Sequence, residues 1–450
     1  MVESLESRFA SVSVKAAVIA GLTLLMLWPL SRVESLVSER QTLQAQAYDV
    51  IAAGFGGSQV LGAPILTVDT QDRKVQVNRA TQERTETWAE GAPLHLLPDE
   101  VQITNEVSVE VRSKGIYSVP VYVSKVVMTG VFKPEAIASL LLSNADLQVL
   151  PTRAVFQLPL SGVKYLRALT RFEVDGQSSR AGSGEVAGFT ALSTPIDLKS
   201  RGESKPLAFR LEFEIAGSES LHFLPLGSHT AVTASVAWPH PDFDGAFLPQ
   251  SRDIKPDGYS AKWEVLELNR AYPQAWRGAT VTQPVLLATA FGVRLFQPSN
   301  IYTQNYRAVR YGILFVAITF ACFFAWEHLV RGLRLHPMQY LLVGLALATF
   351  YLLLLALSEH IGFALSYGLA AAALVALITT YIAGATNNPL AAFGIGGALA
   401  STYGILYVIL LSEDYALLFG SLLLFVILGA WMVATRRLDW SRVGRENAGQ

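Results

Sequence analysis

Hydrophobic and polar positions along the chain follow three rhythms. Residues 12–30 are almost continuously apolar, residues 54–307 alternate or run in short apolar stretches, and residues 308–435 return to long apolar runs. The clearest alternation covers 101–111. There Val101, Ile103, Val107, Val109 and Val111 alternate with Gln102, Thr104, Glu106, Ser108 and Glu110, and only Asn105 interrupts the apolar set. A period of two over that length predicts a strand with one buried and one wetted face. The turn residues Arg112 to Gly115 lead into IYSVPVYVSKVVMTGVF, so the two runs read as a hairpin. Phe209, Leu211, Phe213 and Ile215 predict another strand. Further candidates are 231–237, 262–268 and 286–295, with a short helix at 134–142 and loops at 176–188 and 200–206. Strands separated by turn signals imply sandwich-like packing, with a division into two sub-units expected near residue 190.

The flanking apolar runs read as membrane spans. The first, 12–30, reaches the ~20 residues a span needs if Lys15 snorkels. It ends in Trp28-Pro29-Leu30 without a small-residue cleavage pattern before Arg32, which predicts an uncleaved anchor. Val33, Leu36, Val37, Leu43, Ala47, Val50 and Ile51 then follow helical spacing, with a kink expected at Pro29 and a stop at the glycine cluster 54–62. Five more spans are expected at 311–326, 339–357, 361–381, 390–411 and 415–435. Small residues Gly394, Gly396, Gly397, Ala400 and Gly404 allow close helix contact there. The predicted fold class is an α+β membrane protein: a single N-terminal transmembrane helix, a large extracytoplasmic β-rich domain at 31–307, and a C-terminal bundle of five helices at 308–435.

Charge sets the expected orientation. Arg8, Lys15, Arg331, Arg334, Arg436 and Arg437 fall on one side of the spans, and Glu359, Glu413 and Asp414 on the other. By the positive-inside rule, residues 1–11 and 436–450 are cytoplasmic and 31–307 lie across the membrane. Trp28, Trp326, Tyr340, Tyr415 and Trp440 at span ends fit interfacial anchoring. The composition agrees: 51% hydrophobic and only 16% charged residues, with a mean hydropathy of +0.36. The net charge of −1 provides no field for nucleic acid, and the single cysteine, Cys322, permits no disulfide within one chain.

Candidate chemistry is sparse. Gly57 to Gly62 has the glycine spacing of a phosphate loop but continues into Ala63-Pro64 with no lysine. The sequence holds no HExxH, CxxC or GxSxG, and no catalytic residue or cofactor is expected. His222, His229 and His240 could meet at a metal, although their spacing matches no zinc pattern. Asp242-Phe243-Asp244-Gly245 lacks the later ligands of a calcium loop and reads as a turn. Glu327 and His328 close the second span at its cytoplasmic end, and Asn387-Asn388-Pro389 reads as a plain turn. The remaining candidate is Glu359 with His360, the acid–base pair between two long spans: either a surface turn or a pair that dips among the helices to bind or relay something.

The chain resembles the CreD family of inner-membrane proteins. The carriers are RLHPMQYLLVGLALATFYLLLLALSEHIGF (334–363), the preceding YRAVRYGILFVAITFACFFAWE, and LLFGSLLLF near the end. In the outer domain they are SKGIYSVPVYVSKVVMTGVF, LHFLPLGSHTAVTASVAWPHPDFDGAFLP and FGVRLFQPSNIY. PLSGVKYLRAL departs from the family pattern. The resemblance implies an inner-membrane protein with a periplasmic domain, linked to envelope or cell-wall stress, and it carries over no catalytic residues. The expected function is a non-enzymatic envelope-integrity role, with the lipid bilayer and other envelope proteins or peptidoglycan as partners. The alternatives are a transporter or flippase-like protein for a lipid or small hydrophobic compound, and a membrane-bound envelope hydrolase.

Overall fold

The structure, a computed structural model, describes residues 12–77, 84–200, 205–295, 301–329, 335–386 and 389–412, with 418–422, 425, 426, 429 and 432. The chain divides into two compact units, residues 46–298 and residues 1–45 with 299–450.

The first helices are α1 (Val12–Leu25) and α2 (Leu27–Phe55). The break at Met26 follows from Pro29: its ring crowds the carbonyl four residues back, at Leu25, and it has no N–H to donate to that carbonyl. The helix re-forms at once, because Leu30 N–H reaches Met26 O at 3.2 Å. Gly56 and Gly57, both at positive φ, end α2 as the glycine cluster predicts.

The β unit opens with β1 (Gln59–Leu61), β2 (Ile65–Val77), β3 (Arg84–Glu90), β4 (Leu94–Leu96), β5 (Glu100–Lys114), β6 (Tyr117–Phe132), β7 (Leu147–Leu160), β8 (Leu166–Val174) and β9 (Gln177–Ser178). It continues with β10 (Gly182–Val186), β11 (Phe189–Ile196), β12 (Leu207–Ser218), β13 (Ser220–Phe223), β14 (His229–Val236), β15 (Pro241–Gly245), β16 (Ser251–Lys255), β17 (Gly258–Leu266), β18 (Ala275–Arg277) and β19 (Phe291–Leu295). Short helices α3 (Pro134–Leu140) and α4 (Gln283–Leu287) each carry a proline in the first turn, Pro134 and Pro284, that presets it.

Two sheets form. One runs β16-β17-β14-β5-β6-β12-β8-β9; the other runs β15-β19-β13-β1-β7-β2-β4-β18, with β3 on β2 and the β10–β11 hairpin on β7. Aromatic side chains interlock between them. Phe156 of β7 meets Phe132, Phe172 and Phe209 of the opposite sheet at ring distances of 5.5–6.4 Å, and Trp263 of β17 meets Phe291 of β19 at 5.9 Å. Both sheets draw strands from either side of residue 190, so the expected division into two sub-units is not seen.

Along β5 the burial alternates as the sequence predicts, and the hairpin to β6 turns at Gly115 and Ile116. Asn105, 1% exposed, stays on the apolar face, where the Ser124 hydroxyl donates a 2.6 Å hydrogen bond to its side-chain oxygen while its Nδ2 is left without a partner. Three expectations are corrected. Residues 176–188 are not a loop: Asp175-Gly176 and Ala187-Gly188, all at positive φ, make two-residue hairpin turns between short strands. The candidate strand at 286–295 is strand only in its second half: α4 runs on to Leu287, and β19 begins at Phe291. The 262–268 run leaves the sheet at Leu266 for a 3₁₀ turn, Glu267–Asn269.

In the helical unit, α5 (Ile301–Leu329), α6 (Pro337–Ile361), α7 (Phe363–Thr386) and α8 (Pro389–Leu411) follow one another through short connections. Helix α5 starts ten residues before the expected span, near 301 rather than 311. Five described helices are long and apolar enough to cross a membrane: Val14–Phe55, Ile301–Glu327, Pro337–Ile361, Phe363–Ala385 and Ala392–Leu411. The expected sixth span, 415–435, lies largely outside the described residues. So do Arg8, Arg331, Arg334, Asn387, Asn388, Glu413, Asp414, Arg436 and Arg437.

Candidate functional site

Helix α6 is built from its ends. His336 caps the start: its Nδ1 accepts from Met338 N–H at 3.2 Å, and Gln339 accepts from His336 N–H at 2.8 Å, with Pro337 in the first turn. Gly362, at φ +78°, ends the helix, and its carbonyl accepts from the Ser366 hydroxyl at 2.6 Å as α7 begins. Helices α5 and α6 are antiparallel, because their side chains meet at both ends.

At the α6 start, Glu327 of α5 is only 8% exposed and is saturated. Lys15 of α1 pairs with it, Tyr340 donates to it at 3.3 Å, and Leu335 N–H reaches it at 3.3 Å. Lys15 also donates to Leu335 O at 2.8 Å. The expectation that Lys15 snorkels is replaced by a cross-helix ion pair.

At the other end, Glu359 accepts from the Tyr302 hydroxyl at 3.1 Å and lies 3.7 Å from the Arg40 guanidinium of α2. One residue earlier, Ser358 accepts from the Asn305 amide at 2.8 Å, with Asn305 itself 1% exposed. His360 is exposed, a further 100° round the helix. The structure therefore joins Glu359 to Tyr302 and Arg40, and not to His360. Tyr302, Asn305 and Arg40 escaped the sequence reading. The tyrosine and asparagine precede the expected span, and the arginine is distant in the chain.

Depth follows from helix rise. From Lys15 to Arg32, and from Glu327 to Arg310, is about 25 Å, and from Tyr340 to Glu359 about 28 Å. A hydrocarbon core is about 30 Å thick. Arg32 lies over the Trp28 ring at 5.7 Å and Arg310 over Tyr306 at 5.5 Å, as interfacial cations do. Along α6, Glu359 is thus separated from Tyr340 by nearly the full thickness of such a core. Between the two ends the helices carry no charged residue. Their interior is aromatic instead: Phe350 packs on Tyr403 at 4.7 Å, and the Tyr367 hydroxyl donates to Tyr403 O at 2.6 Å.

In the β unit the three candidate histidines do not converge. His229 starts β14 and His240 follows its other end, about 23 Å away. His222 instead faces Asp244 at 3.8 Å, across β19. Asp242 and Asp244 are not a turn. They lie on one face of edge strand β15, where Arg294 of β19 pairs with both. The Arg294 hydrogen bond holds the Asp244 carboxyl below its ordinary range, while burial pushes His222 down against the pull of Asp244. No group of three His, Cys, Asp or Glu that could hold a metal occurs among the described residues. His95 was not singled out by the sequence. It stacks on Trp276 at 5.1 Å, shares a 3.0 Å hydrogen bond with Thr67, and is pushed down to about 4 by burial.

A family model described as inner membrane protein CreD matches residues 11–441. The chain belongs to the CreD family. Inner membrane protein CreD of Escherichia coli (strain K12) is 29% identical to it over 424 residues, covering 93% of this chain and 92% of that protein. As a CreD family member the chain is a multi-pass inner-membrane protein, in keeping with its five long apolar helices. The family-like block 334–363 contains the His336 cap, Tyr340 of one polar cluster and Ser358-Glu359 of the other.

Proposed function

We propose that this CreD family protein supports envelope integrity without catalysing a reaction, with residues 31–307 in the periplasm and both termini in the cytoplasm. The observation that carries this reading is where the polar side chains are used. In the helical unit Lys15, Glu327, Arg40 and Glu359 are spent on one another at the two ends, leaving no charged relay between them. In the β unit His222, Asp242 and Asp244 form a cross-strand ladder with Arg294. The bilayer is one partner, and other envelope proteins or peptidoglycan are partners of the β-rich unit. Crosslinking in cells from exposed positions on that unit identifies which.

Two experiments test the reading. A reporter active only in the periplasm is active when fused after Ser200 and silent after Gln450; the reverse pattern overturns the orientation. Substituting Glu359 and His360 together leaves envelope-stress resistance intact at normal protein level. Lost resistance with normal level would instead support a binding or relay site.

One observation favours the transport alternative. A largely apolar groove of about 1070 Å³ lies between α7 and α8, with Gly368, Ala372, Ala376, Gly396, Ala400 and Gly404 on its walls. Lipid translocation by the purified protein in vesicles would move the reading to that class.

A further inference from the structure

Helices α5 and α8 pack together although two helices separate them in sequence, and in lipid the hydrophobic effect gives helices little reason to associate. Polar contacts and close packing must hold them. Between them lies a small cavity whose walls include Thr319, Cys322 and Trp326 of α5 and Ala398, Leu399 and Thr402 of α8. Thr319 is 2% exposed, and its hydroxyl has no hydrogen-bond partner. Thr349, Thr380 and Thr402 all return their hydroxyls to the carbonyl one turn back, which Thr319 does not do. The Trp326 indole N–H is likewise buried without a partner. Thr402 donates to Ala398 O at 2.8 Å, and its lone pairs stay open to a donor.

The cavity offers about 20 Å³ of room for the centre of a small molecule. A water molecule needs about 10–15 Å³ of such room and two to four polar partners. The space is too small for a lipid chain, and an apolar occupant would leave the Thr319 hydroxyl unsatisfied in the membrane interior, where no bulk water can serve it. We propose that this cavity binds one ordered water molecule, which joins α5 to α8 through Thr319 and Thr402. The water accepts from or donates to Thr319, donates to Thr402, and lies on the side of α5 that carries the Trp326 N–H.

Thermal unfolding of the full chain in lipid nanodiscs tests this. Thr319→Val removes the hydroxyl at nearly constant volume. With a bound water it takes away a partner and lowers the apparent Tm by about 2–4 °C. Ala398→Val fills the cavity and displaces the water; in that background Thr319→Val leaves the Tm unchanged or raises it, because the hydroxyl has already lost its partner. A Thr319→Val protein as stable as the natural one, or more stable, means a dry cavity and overturns the proposal. An equal loss in both backgrounds assigns the effect to threonine packing and overturns it as well.

Discussion

Removing either partner of the Lys15–Glu327 pair should loosen the helical unit at its α1–α5–α6 end. The Glu327 side chain is 8% exposed and that of Lys15 18%, so neither charge is rehydrated without the helices parting. Breaking a buried pair by deleting one partner costs roughly 3–5 kcal/mol, because the other charge is left uncompensated. The residual exposure of Lys15 and the two further donors to Glu327, Tyr340 and the Leu335 N–H, place this case just below that range, at about 2–3 kcal/mol. Lys15→Met and Glu327→Gln should each lose about that much, and the double variant far less than the sum. The coupling energy in the cycle is then about 1.5–2.5 kcal/mol, well above the roughly 0.3–0.5 kcal/mol scatter of independent sites. Reversible unfolding in mixed micelles, followed by tryptophan emission, measures all four corners. Additive losses would refute the reasoning, since they would mean that the two charges are solvated separately and the ends of α1 and α5 do not touch.

His95 gives a pH test in the β unit. Its folded pKa of about 4 lies below the ordinary value near 6.5, so the fold favours the neutral ring. Its stabilising contribution is complete above pH 6.5 and is lost as pH falls towards 4, by up to roughly 3 kcal/mol. His95→Phe should flatten the stability profile in that window, read as the urea midpoint against pH. Gly292 tests the sheet: a Cβ there would collide with the Leu221 carbonyl oxygen and sit 2.8 Å from His222 Cα. Gly292→Ala should therefore cost about 1–3 kcal/mol by forcing β13 and β19 apart, with a matching fall in urea midpoint.

The order of elements is written locally. Period-two alternation at 101–111, the apolar runs after 308, Pro29 and the glycines at 56 and 57 all act on neighbours within a turn or a strand. Short-range sterics and solvent preference suffice to place them. The same holds for the His336-Pro337-Met338-Gln339 cap, whose hydrogen bonds close within three residues. Even Asp175-Gly176 carried a hairpin signal, masked by the small polar residues around it.

What needed the tertiary structure was pairing at a distance. Glu359 stands beside a histidine in sequence, yet its partners Tyr302 and Arg40 come from other helices, because neighbours on a helix point 100° apart. Asp242 and Asp244 resemble a turn until β19 brings Arg294 across from them. Thr319 is an ordinary threonine in an apolar run until α8 closes over it. Burial and hydrogen-bond satisfaction are properties of surfaces brought together by the fold, and no stretch of the chain records them alone. The sequence by itself determined that this is a membrane protein with a β-rich unit between its first and second spans. Packing decided which polar side chains clasp the helices, which ladder the sheet, and which are left facing a cavity.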